Sequence, residues 1–190
     1  MQPDWENRYQ EQSTGWDIGA ISTPLKEYFD QLNDQSLSIL IPGCGNAYEA
    51  EYLWKKGFKN VHLLDIAPSP LENFAKKIPD FPSEQLIQGD FFEHSKSYDL
   101  IIEQTFFCAI EPELRNAYAK KSLELLKEGG KLVGLLWSVE LNTEHPPYGG
   151  SKEEYLTYFG DGFEIITMDD SYNSIAPRAN RELFTILKKK

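Results

Sequence analysis

Ile39-Leu40-Ile41-Pro42-Gly43-Cys44-Gly45-Asn46-Ala47-Tyr48-Glu49-Ala50, followed by Val61-His62-Leu63-Leu64-Asp65, decides how this chain is read. An apolar run enters a two-glycine turn, a helical stretch follows, and a second apolar run ends on an acid. Such a unit binds nucleoside-containing ligands at the carboxyl ends of parallel strands. Gly43 and Gly45 let the backbone pass close to a ligand, where a Cβ would intrude. Asp65, twenty residues after Gly45, stands where a carboxylate can accept hydrogen bonds from both hydroxyls of a ribose. The competing interpretation is a plain strand–turn–helix without a ligand, because glycine turns are common in parallel α/β domains.

A dinucleotide fingerprint has a third glycine three residues after the second, and here that position is Tyr48. The third glycine serves close helix–strand packing around a pyrophosphate. A nucleoside cofactor without phosphate does not need it, so the turn favours S-adenosylmethionine over NAD.

Outward from this unit, apolar runs alternate with helical patterns. Strands are predicted over 37–41, 61–65, 84–88, 98–103 and 131–137, and helices over 48–56, 70–78 and 113–126. The last helix starts after Pro112 and stops at Gly129-Gly130. This alternation implies an α/β fold with a parallel, doubly wound sheet and right-handed crossovers. Two further strands, 163–168 and 183–187, follow without a full helix between them, a terminal hairpin that adds an antiparallel strand at or near the sheet edge.

Two segments stand outside the alternation. Residues 1–24 carry Trp5, Tyr9 and Trp16; Trp5 and Tyr9, four apart, share a face on a helix. The loop 138–151 contains Pro146-Pro147-Tyr148-Gly149-Gly150 and directly follows the fifth strand, over the carboxyl ends where ligands bind. Both could form a lid, or their aromatics could simply cover an exposed side of the sheet.

Asp90 and Phe91, after the third strand, could hold an adenine amino group and ring; the alternative is a turn acid beside core aromatics. Glu103-Gln104-Thr105-Phe106-Phe107-Cys108 closes the fourth strand, across the switch point from the glycine turn. His145-Pro146-Pro147-Tyr148 resembles the Asn/Asp-Pro-Pro-Tyr motif of amino-group methylases, but it does not end the fourth strand and His145 lacks the amide or carboxylate acceptor. His62, His94 and His145 show no metal-ligand spacing, and no Gly-x-Ser-x-Gly elbow is present.

The chain has 190 residues, suited to one domain with a self-sufficient core. A net charge of −11 argues against a nucleic-acid substrate, which calls for a basic face. No membrane span or signal character is visible, so a cytoplasmic protein is expected. Cys44 and Cys108 make no disulfide framework and read as small buried side chains.

Ile41-Pro42-Gly43-Cys44-Gly45 with Asp65, the run Glu103–Arg115 written Glu-Gln-Thr-Phe-Phe-Cys-Ala-Ile-Glu-Pro-Glu-Leu-Arg, Leu125-Leu126-Lys127-Glu128-Gly129-Gly130 and Pro146-Pro147-Tyr148 together resemble the thiopurine S-methyltransferase family, nearest its thiol, thiocyanate and halide methyltransferase branch. The resemblance covers nearly the whole chain and extends to Ser174-Ile175-Ala176-Pro177-Arg178. It implies a Rossmann-like class I methyltransferase in one domain, 1–190, with a seven-stranded, mostly parallel sheet, an antiparallel C-terminal hairpin and helices on both faces. Within it, 1–24 would be an aromatic lid, 36–137 the cofactor-binding core, and 138–190 the lid loop and hairpin.

It further implies transfer of a methyl group from S-adenosylmethionine to a small soft nucleophile, by a monomer or small homo-oligomer, with S-adenosylhomocysteine as product. Trp5, Tyr9 and Trp16 would cover the cofactor, Gly43 would approach its methionine part, Asp65 would hold the ribose, and Asp90 and Phe91 would contact adenine. Gln104, the acceptor-side candidate, would lie near the methionine end; relatives carry tyrosine or arginine there. Tyr9 likewise replaces the usual tryptophan. A nicotinamide oxidoreductase and a non-catalytic S-adenosylmethionine-binding protein remain as alternatives.

Overall fold

The computed structural model describes residues 4–190. Its centre is a seven-stranded sheet in the order β3-β2-β1-β4-β5-β7-β6. The strands are β1 (Ile39–Pro42), β2 (Val61–Asp65), β3 (Leu86–Gln88), β4 (Tyr98–Gln104), β5 (Leu126–Trp137), β6 (Phe163–Asp170) and β7 (Glu182–Lys189). The first five run parallel, and β7 lies antiparallel between β5 and β6. The expected hairpin is therefore present, with its antiparallel strand one place in from the edge.

Strand residues alternate between two cores. Ile39, Ile41, Val61, Leu63, Leu100 and Ile102 face one side, and Leu40, Leu64, Ile101, Leu132 and Leu136 face the other. The first side is covered by α2 (Thr23–Asp30), α3 (Tyr48–Lys55) and α4 (Pro68–Lys77) through Leu25, Phe29, Leu53, Trp54 and Phe74. The second is covered by α5 (Arg115–Leu125) and α6 (Lys152–Phe159) through Tyr118, Tyr155 and Phe159. Burial on both faces is why β1 and β2 read as continuous apolar runs. A short helix, α1 (Trp5–Gln10), opens the described chain; Asp4 caps it by accepting the Asn7 amide at 3.0 Å.

Several boundaries differ from the sequence expectation. Residues 83–85 form a 3₁₀ turn after Pro82, which shortens the expected strand 84–88 to β3. The strand expected at 37 starts at Ile39, because the Ser38 amide donates to the Asp99 carboxylate at 2.8 Å instead of joining the ladder. The helix expected over 113–126 begins as a 3₁₀ turn, Pro112–Leu114, and ends at Leu125. Gly129-Gly130 is thus no helix stop: it lies inside β5, at a register irregularity against β4, with Gly129 at φ +70°. α2 and α6 were not expected from the sequence. α2 has Pro24 in its first turn, and α6 starts at Ser151, whose Oγ accepts the Glu154 amide at 3.3 Å. No helix among the described residues is long and apolar enough to cross a membrane.

A candidate cofactor and acceptor site

The sheet reverses its winding between β1 and β4, and the carboxyl ends of β1, β2, β3 and β4 open on a cavity of about 800 Å³. That is the upper part of the usual range for small-molecule sites, roughly 300–1,000 Å³. Trp5, Tyr9, Trp16, Gly43, Asp65, Asp90 and Phe91 all line it. The sequence expectations for these residues therefore converge on one space.

Gly43 and Gly45 have φ of +56° and +52°, the left-handed region that favours glycine. A Cβ at Gly43 would stand 2.4 Å from Phe106 Cδ2, so the glycine admits the Phe106 ring against the turn. At Gly45 the nearest atom to a Cβ is the Tyr9 hydroxyl, 3.4 Å away. Gly43→Ala should therefore cost both the left-handed strain of about 1–2 kcal/mol and a displaced Phe106, whereas Gly45→Ala should cost the strain alone. Thermal unfolding of the two variants, with equal losses counting against the Phe106 contact, checks this.

Asp65 is buried at the end of β2. Its Oδ2 accepts the Gly45 amide at 3.2 Å and its Oδ1 the Ala67 amide at 3.0 Å, so the acid braces the glycine turn. Burial raises its pKa above the usual carboxylate value, and its backbone hydrogen bonds oppose that rise. Beyond it, Ile66 is half-exposed and lines the cavity. Asp90 is exposed and accepts the Phe92 amide at 2.9 Å. Phe91 is both wall and core: it lines the cavity and stacks on Tyr118 at 5.2 Å.

Trp16 meets Trp5 and Tyr9 edge to face, with centroids 5.6 and 5.7 Å apart. All three are half-buried, line the cavity and belong to neither hydrophobic core. Polar bonds hold the cover down. Glu6 accepts the Ser69 amide and hydroxyl at the start of α4, and Asp17 accepts Asn46 Nδ2 at 2.5 Å and the Tyr48 hydroxyl at 3.3 Å.

Gln104 is placed differently. It lines a recess of about 50 Å³ beside the glycine turn, which shares Trp16, Asp17, Ile18, Gly43 and Thr105 with the large cavity. Its Oε1 is buried and accepts no hydrogen bond from the protein.

Beside the cover, the sequence pointed to the loop with Pro146 and Pro147 and to the strand end at Cys108, but not to Trp137, Ile175 or Arg178 as parts of the wall. Cys108, Ile110, Trp137, Pro146, Ile175 and Arg178 all line the cavity. Pro146 and Pro147 reach it because the Tyr148 amide donates to the Cys108 carbonyl at 2.8 Å. Arg178 is buried over the Trp137 ring at 5.3 Å; its Nη1 donates to Glu182 at 3.1 Å and its Nη2 to the Trp16 carbonyl at 2.8 Å. The signal for Ile175 and Arg178 was the run Ser174–Arg178, which carries the family resemblance but no contact information. Cys44 and Cys108 are free and buried, and burial pushes the Cys108 thiol up to about 12. Among the described residues no group of histidine, cysteine and acidic side chains could hold a metal ion.

A solved methyltransferase of Burkholderia thailandensis, 1,6-didemethyltoxoflavin-N1-methyltransferase with bound 1,6-didemethyltoxoflavin and S-adenosylhomocysteine, superposes with a TM-score of 0.77 at 14% identity, over 98% of this chain and 86% of that one. At that identity the likeness is one of fold. The strand order and the cavity at the switch point are those of the Rossmann-like class I methyltransferase fold. The thiopurine S-methyltransferase (TPMT) family model matches residues 1–188, and the chain belongs to that family. Its relatives include the probable thiol methyltransferase 2 of Arabidopsis thaliana, 31% identical over 184 residues, and thiocyanate methyltransferase 1 of Brassica oleracea, 32% identical over 187 residues. Each alignment covers 94% of this chain and 81% of the relative.

The residues present fit the family's cofactor. Gly43 brings side-chain-free backbone to the cavity wall, Asp65 lies in that wall at the end of β2, and Gln104 Oε1 is a buried acceptor without a protein partner in the recess beside the turn.

Proposed function

We propose that the chain transfers the methyl group to a small soft nucleophile, a thiol, bisulfide, thiocyanate, halide or thiopurine, by in-line displacement. One observation carries this reading. Among the described residues lining the cavity there is no histidine, lysine or glutamate; its three carboxylates all accept hydrogen bonds from the protein, Asp17 from Asn46 and Tyr48, Asp65 from the Gly45 and Ala67 amides, and Asp90 from the Phe92 amide. A weakly acidic acceptor would find no histidine or lysine base there, and only carboxylates already engaged. A halide or thiocyanate is already an anion, and a thiol with a pKa of about 8.5 supplies a few per cent thiolate at neutral pH.

Bound S-adenosylmethionine supplies a methyl group activated by its sulfonium. In this reading Asp65 accepts from the ribose hydroxyls, Asp90 from the adenine amino group, and Phe91 and Ile66 flank the base. Gly43 admits the methionine part, whose ammonium would find Gln104 Oε1. Trp5, Tyr9 and Trp16 close over the sulfonium, where aromatic faces contribute about 0.5–2 kcal/mol and exclude water. Catalysis then rests on holding nucleophile and methyl in line.

Headspace detection of methyl iodide, methyl thiocyanate and methanethiol, beside a thiopurine assay in solution, tests the acceptor. Methylation of at least one acceptor is expected. Cofactor binding without any product would leave a non-catalytic binding protein, and tight binding of NAD in place of S-adenosylmethionine would overturn the reading altogether.

A further inference from the structure

Glu103 is a buried charge that the reaction as described does not use. It is the second-last residue of β4 and 1% exposed. Its Oε1 accepts the amides of both Phe106 and Phe107 at 2.8 Å, and its Oε2 accepts the Tyr118 hydroxyl at 2.7 Å. Between the carboxylate and those amides lies Thr105, at φ +60°, a conformation costly for any residue but glycine. The carboxylate therefore pins a turn that the backbone alone would not favour.

That turn sends two consecutive rings in different directions. Phe106 lies on Gly43 and lines the cavity, 5.4 Å from Phe91. Phe107 enters the second core against Tyr118, Tyr155 and Phe159. Movement of the turn carries the Phe106 ring across Gly43, where only the lack of a Cβ lets the ring sit.

We propose that Glu103 is a positioning residue: its carboxylate, by holding the Phe106 and Phe107 amides, sets the floor of the cofactor cradle and hence the affinity for cofactor. This rests on the reading of the Gly43 cradle as the cofactor's seat. A Glu103 protonated on Oε2 could donate to the Tyr118 oxygen, and its Oε1 would become a neutral carbonyl that holds the Phe106 and Phe107 amides more weakly than the charged carboxylate does, as the amide oxygen of a glutamine would. Burial pushes its carboxyl up to about 7, so that change falls near neutrality.

Other titratable groups packed around it do not titrate in its place. On α5, Tyr118 donates to it and is held neutral by burial, and Arg115 is turned to Glu154 and the Gly149 carbonyl. Cys108 in the turn is neutral, and Tyr155 on α6 is pushed up by burial and donates to the Trp137 carbonyl. β1 and the facing stretch 133–135 of β5 bring no titratable side chain.

The test is calorimetric titration of the whole chain with S-adenosylhomocysteine between about pH 5.5 and 8.5. The same ligand is used throughout, so its own titration is common to every variant. Wild-type affinity should be full above the Glu103 midpoint and weaker by about tenfold at the acid end. Glu103→Gln should bind weakly with no step near neutrality. Tyr118→Phe, which removes one donor to the charged form, should move the midpoint up by about half to one pH unit.

A step that survives unchanged in Glu103→Gln, or a midpoint unmoved in Tyr118→Phe, overturns the proposal; should Glu103→Gln not fold, Tyr118→Phe decides. Wild-type binding without any pH step leaves the cofactor site standing and removes Glu103 from it. A wild-type protein that binds no S-adenosylhomocysteine at any pH overturns the site reading and this inference with it.

Discussion

Replacing Asp65 with alanine will cost the protein about 10- to 150-fold in affinity for S-adenosylhomocysteine, the equivalent of about 1.5–3 kcal/mol for hydrogen bonds to a charged acceptor. Two effects add. In the proposed site the ribose hydroxyls would lose their acceptor, and the Gly45 and Ala67 amides lose the carboxylate that braces the turn. Asp65→Asn keeps the side-chain volume and one acceptor oxygen but sets its NH2 against either the Gly45 or the Ala67 amide. It should therefore lower both the unfolding temperature and the affinity, each by less than alanine does. Unchanged calorimetric affinity in Asp65→Ala would sink the ribose assignment.

Arg178→Met should be the most destabilising single change near the site. Arg178 and Glu182 are 6% and 4% exposed, so removing the guanidinium strands a buried carboxylate, at about 3–5 kcal/mol. For a chain of this length that lowers the unfolding temperature by about 6–20 °C. The Trp16 carbonyl loses its donor at the same time, which frees the aromatic cover. Arg178→Met combined with Glu182→Gln removes the stranded charge; it should recover most of the stability while cofactor affinity stays low. A single variant that melts with the wild type would show that the pair does not hold the fold. A double variant that regains full affinity would show that Arg178 does not hold the cover.

The core of the fold was legible because it is local. In β1, the glycine turn, α3 and β2, burial on both faces, left-handed glycines and a terminal acid lie within 27 residues, from Ile39 to Asp65. α6 was missed although Ser151 and Glu154 carry its start signal, because the Pro/Gly run before it reads as one long loop. Gly129-Gly130 misled because a glycine pair after a helical stretch serves a strand irregularity as well as a helix end. At the site, Trp5 and Tyr9 could be paired by helical spacing alone. Arg178 could not, since its role comes from Trp16, Trp137 and Glu182, brought together only by the folded sheet.

The hydrogen bond between Arg178 and the Trp16 carbonyl joins positions 162 apart, and β7, which carries Glu182, needs β5 already in place to pair. Closing so long a loop carries an entropic cost that earlier, shorter-range contacts do not. The wall that Arg178 ties together is thus built from long-range contacts, unlike the glycine turn and its acid, which the chain brings together within one short stretch.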